Sequence, residues 1–84
     1  MEIENWENTG TELVRELVFE NQTALAQCLL EIARYSDRVN HHADMEITQC
    51  RKLRLSISTH DTGNLSEKDF DWALGMNALL PDSK

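Results

Sequence analysis

The side chains with the widest chemistry in this chain are Cys28, Cys50, His41, His42 and His60. Each can bind a metal, and each can move a proton or act as a nucleophile. A structural zinc site needs a C-x2–4-C or H-x3–5-H pair, because neighbouring ligands must converge on one tetrahedron. Neither spacing occurs. His41 and His42 are adjacent, so on a helix they point in different directions. Cys28 and Cys50 fall on apolar faces, where a thiol behaves as a small hydrophobe. Nucleophilic catalysis needs a Cys or Ser activated by a base and an orienting third group. Cys28, His42 and Asp37 supply these types by count, but in no recognised arrangement. No G-x-x-x-x-G-K-[ST] or G-x-G-x-x-G run is present to cradle phosphate. The expectation is no catalytic residue, no metal and no cofactor.

The run Ser58 to Phe70 resembles the calcium loop of the EF-hand family. Gly63 stands at the sixth position of such a loop, Leu65 at the eighth, Ser66 at the ninth and Asp69 at the twelfth. Ser58, His60 and Thr62 occupy the first, third and fifth positions, where oxygen ligands carrying charge belong. Asp69 replaces the bidentate Glu. The resemblance implies a degenerate helix–loop–helix, at most a metal-responsive regulator.

The elements that would carry these residues read as helices. Thr9 and Glu12 stand at capping-box spacing, and Glu12 and Glu16 put negative charge at a helix start. Leu13, Val14, Leu17, Val18, Leu25, Cys28, Leu29, Ile32, Tyr35 and Val39 then recur in steps of three and four. Two heptad rows result: Val18, Leu25, Ile32 and Val39, and Val14, Asn21, Cys28 and Tyr35. They resemble a coiled-coil seam, with Asn21 as a register device or an edge residue. One helix over 9–39 would be about 45 Å long. A turn near 39–43 and a second helix over 43–58 follow, the latter carrying the basic cluster Arg51, Lys52 and Arg54. Leu53 to Ser58 alternates as a strand does, but a lone strand lacks a partner, so helix is retained. Ser66 and Asp69 form a capping-box start with Leu65 and Phe70 as a staple. A third helix then runs over 66–80, stopped by Pro81. Gly75 within it permits a close crossing. The fold class is therefore all-α: one domain with an acidic arm over 1–8 and a short tail over 81–84. The first helices of two copies pair into a bundle, making a homodimer.

Composition sets the function class. The chain has 84 residues, with 15 Asp and Glu against 8 Lys and Arg, and a formal net charge of −7. Nucleic acid and anionic membrane are poor partners for such a surface. No apolar run approaches the ~20 residues of a membrane span. With two cysteines and no signal-peptide pattern, the expected location is the cytoplasm. The reading is a small acidic, non-catalytic interaction module: an adaptor, antagonist or inhibitor that docks on the basic surface of a larger protein. Phage and mobile-element products offer an analogy of class only. Its expected contacts are Glu2, Glu4, Trp6, Glu12, Glu16, Phe19 and Glu20, with Asp71, Trp72 and Met76 on the third helix.

Overall fold

The computed structural model describes residues 3–59 and 65–80. It is α+β, not all-α. The elements run β1 (Glu7–Asn8), β2 (Leu13–Val18), α1 (Gln22–Val39), β3 (Asp44–Thr48), β4 (Lys52–Ile57) and α2 (Glu67–Leu79). The four strands form one antiparallel sheet in the order β1-β2-β4-β3. Alternation along the central pair assigns the faces. Leu13, Arg15 and Leu17 on β2 stand opposite Ile57, Leu55 and Leu53 on β4. This face meets Leu25 and Ile32 of α1 and Trp72, Ala73 and Met76 of α2 in one core. The other face carries Glu16 opposite Arg54 and Val18 opposite Lys52.

The expected long helix over 9–39 is three structures. Its first capping signal is a strand-connecting turn. Thr9 Oγ1 accepts the Glu12 N–H at 3.1 Å, and Gly10 sits at φ +99, so β1 folds back on β2. The true helix start is Asn21, whose extended backbone and Oδ1, accepting the Ala24 N–H at 2.8 Å, cap α1. Asn21 is thus neither a register device nor a stripe-edge residue.

The dimer seam dissolves with that helix. Leu25 and Ile32 are buried in the chain's own core, and Cys28 and Tyr35 pack half-buried against it. Val14 and Val18 lie on the outer face of β2, and Val39 is exposed at the end of α1.

The expected helix over 43–58 is a hairpin. Gln49 and Cys50 turn it with φ of 53 and 59, left-handed values that neither residue type advertises. The strand alternation of Leu53 to Ile57 is real, and its partners are β2 and β3.

α2 starts at the Ser66–Asp69 signal: Asp69 Oδ2 accepts the Ser66 N–H at 2.8 Å. Trp72 and Met76 are buried. They are core residues, not contacts for a partner. Trp6 meets Trp72 edge-on at 5.8 Å, and its Nε1 donates to Asn77 Oδ1 at 2.8 Å. The N-terminal arm is therefore part of the body. Arg15, buried on the inner face, also donates to Asn77 Oδ1, at 3.1 Å.

Candidate active site

The end of α1 places the first chemical group. Asn40 adopts the left-handed conformation, φ 55 and ψ 44, which Asn tolerates better than most residues. Its N–H bonds the Asp37 carbonyl at 3.3 Å, and the His41 N–H bonds the Ser36 carbonyl at 3.1 Å. This pair of bonds is a Schellman closure, which satisfies carbonyls the helix end would leave open. It also turns His41 toward the start of α2.

There His41 Nε2 lies 2.7 Å from Asp69 Oδ1. Asp69 is fully buried. Its other oxygen accepts the Ser66 N–H at 2.8 Å and the Thr59 hydroxyl at 2.8 Å. Burial alone pushes the Asp69 carboxyl up, but the hydrogen bonds from His41, Ser66 and Thr59 outweigh it and hold the group below its ordinary value. An ionised carboxylate only accepts, so His41 Nε2 carries the proton and donates. Nδ1 is then the atom left to take up or release a proton. His42 Nε2 lies 2.8 Å from Asp37 Oδ1, a pair exposed to solvent.

A cavity of about 360 Å³ opens beside these groups, lined by Tyr35, Val39, Asn40, His41, Lys68, Asp71 and Trp72. That volume suits a small molecule. Trp72 Nε1 donates to Ser36 Oγ at 3.3 Å, which fixes the indole at the cavity floor. Apolar walls, one cation, one carboxylate and an oriented imidazole meet there. Such a site can hold a flat polar ring and move protons on it.

The expected contact residues do not gather here. Glu4, Glu16 and Glu20 are exposed, and Phe19 is half-buried against the core. Glu12 is engaged by the Ser56 hydroxyl and lies 3.7 Å from Arg54. Glu2 lies outside the described residues, as do His60, Thr62 and Gly63 of the calcium-loop resemblance. Of the expected set, Asp71 and Trp72 line the cavity. The element before that loop is a strand, and Asp69 faces His41 rather than a cation. Among the described residues no group of three or more His, Cys, Asp or Glu could hold a metal. None of their helices is long and apolar enough to cross a membrane. No sequence pattern marks His41, Asp69, Tyr35 and Lys68 as parts of one small-molecule site. The one local signal was Asp69 at N3 of α2; nothing tied it to a histidine 28 positions away.

Solved structures carry the same architecture. A transcriptional coactivator/pterin dehydratase from Brucella melitensis superposes with a TM-score of 0.81 at 19% identity, covering 93% of this chain and 84% of that one. A pterin dehydratase-like protein, described as a RuBisCO assembly factor in the alpha-carboxysome, gives 0.72 at 14% identity, covering 93% and 89%. At these identities the likeness concerns the fold. The sequence goes further. The profile of the family described as "Pterin 4 alpha carbinolamine dehydratase" matches residues 1–79. A protein of Acidobacterium capsulatum that bears this dehydratase name provisionally is 33% identical over 75 residues, 89% of this chain and 80% of its own length. One of Sulfolobus acidocaldarius with the same provisional name is 31% identical over 78 residues, 93% of this chain and 85% of its own length. The chain belongs to the pterin 4 alpha carbinolamine dehydratase family. The non-catalytic acidic adaptor and the metal-responsive regulator are both overturned by that membership, and with them the phage inhibitor and the exclusion of enzymes.

Proposed function

We propose that this protein catalyses loss of water from a pterin 4a-carbinolamine in the cavity beside His41. The observation that carries the reading is His41, held by the buried Asp69, at the wall of a cavity of small-molecule size. A carbinolamine holds hydroxyl and nitrogen on one carbon. Dehydration breaks the C–O bond, forms a C=N bond from the nitrogen lone pair, and moves one proton from nitrogen to a base and one onto the departing oxygen. Nothing is oxidised or reduced. The chain must therefore supply a proton acceptor and a proton donor near one ring. Asp69 holds the His41 tautomer and stabilises the imidazolium that forms when Nδ1 takes a proton. His42, oriented by Asp37, is a second proton-transfer group next in the chain. Asp71 is the carboxylate available to the amino and amide N–H groups of a pterin ring.

The test is direct. A carbinolamine generated chemically should lose water faster with the protein present, in proportion to its concentration. A rate equal to that of buffer, with a folded protein, would sink the proposal.

Self-association stays within the proposal, but not through the first helix. The core leaves Met45 and Ile47 of β3 exposed on the sheet's inner face. An edge strand with apolar side chains is a site for pairing. Ile47→Asp should shift a sedimenting oligomer to the single chain; an identical profile for wild type and variant speaks against it.

A further inference from the structure

Tyr35 was expected to pair two copies of the chain, and instead it lines the cavity. Its position depends on Gly75. A Cβ built on Gly75 would stand 2.1 Å from the Tyr35 hydroxyl oxygen, 2.6 Å from Cζ and 3.2 Å from Cε1. The first two distances lie inside any van der Waals contact, so no residue but glycine fits beneath the ring as it lies. The ring is held from other sides too. Trp72 meets it edge-on at 6.5 Å, and the Arg38 guanidinium carbon lies 5.2 Å from its centroid. Glycine inside a helix is otherwise unfavourable, because it surrenders more backbone freedom on folding than other residues do. α2 carries that disadvantage at the point where the Tyr35 ring crosses it.

Resting on the dehydratase reading, we propose that Tyr35 is a specificity-determining wall for the pterin ring and that Gly75 is the positioning residue that seats it. The aromatic ring supplies a flat contact for a flat substrate, beside the imidazole that moves the protons. Any side chain at position 75 lifts Tyr35 from α2 and changes the width of the cavity, while His41 and Asp69 keep their geometry.

The experiment combines a fluorescence titration with pterin itself, an unreactive ring, with dehydration kinetics. Gly75→Ala should weaken pterin binding by about twofold to tenfold, the range of one aromatic contact. KM should rise to match, with kcat nearly unchanged. Tyr35→Phe should bind like wild type. Tyr35→Ala should weaken binding like Gly75→Ala, and the double variant should be no worse than Tyr35→Ala alone, since the added methyl then meets no ring. Circular dichroism on each variant checks folding, and Tyr35→Ala tests the wall even if Gly75→Ala does not fold. If wild type binds pterin but Gly75→Ala and Tyr35→Ala bind it equally well, this proposal is wrong and the dehydratase reading stands. If wild type neither binds pterin nor speeds water loss, both fall together.

Discussion

Replacing His41 by Ala is expected to lower kcat for carbinolamine dehydration by about 10²- to 10⁴-fold, the contribution of a positioned acid–base group. The effect should fall on kcat more than on pterin affinity, because the imidazole acts on protons that move in the transition state. The fold should survive. Asp69 keeps the Ser66 N–H and the Thr59 hydroxyl as donors when His41 is gone. The stability cost is then that of one hydrogen bond to a charged group, about 1.5–3 kcal/mol. Steady-state kinetics beside a urea melt separate the two quantities. A variant that keeps its activity within about threefold, a loss far below the acid–base range, would remove His41 from the chemistry and leave it a structural partner of Asp69.

The site was hard to read in the sequence because its parts are distant and each has a plain local role. Asp69 was legible as the N3 acid of a capping box, and the structure shows that bond. The same carboxylate's second oxygen serves His41, and no spacing rule connects the two positions. His41 follows Asn40, which was read as a helix end; the left-handed turn there is what aims the imidazole.

The fold was lost for a related reason. In Leu13 to Val18 the apolar residues sit at 13, 14, 17 and 18, a spacing that suits a helix face. The inward position between Leu13 and Leu17 is Arg15, a buried polar residue that hides the alternation of a strand. Its partner strand β4 alternates openly, but its mate β2 carries helix-like spacing, so the pairing is concealed. The hairpin between β3 and β4 gave no warning either, since Gln49 and Cys50 stand in left-handed positions that Asn or Gly would have marked. Periodicity within one element cannot settle such a case. It takes a pairing between elements, and here each half of the pair was disguised.

Asp69→Ala should be the most destabilising substitution at the site. It leaves the Ser66 N–H, the Thr59 hydroxyl and the His41 ring without the fully buried acceptor they share. Each donor left without its acceptor costs about 1–3 kcal/mol. A chain of this size has roughly 3–5 kcal/mol in all, so the variant should be largely unfolded or sharply lowered in Tm. The contribution is also pH-dependent in a fixed sense. The folded carboxyl is held below its ordinary value of 3.8. Folding is therefore favoured by Asp69 in full above that pH, and the benefit fades as pH falls through the lower folded value. Urea melts of wild type and Asp69→Asn from pH 7 downward should show a gap that is constant at neutral pH and narrows below 3.8. A gap that widens on acidification would mean that the carboxyl is protonated in the folded protein. His41 would then not be held by a charge, and the proton inventory of the site would have to be drawn again from His42 and Asp37.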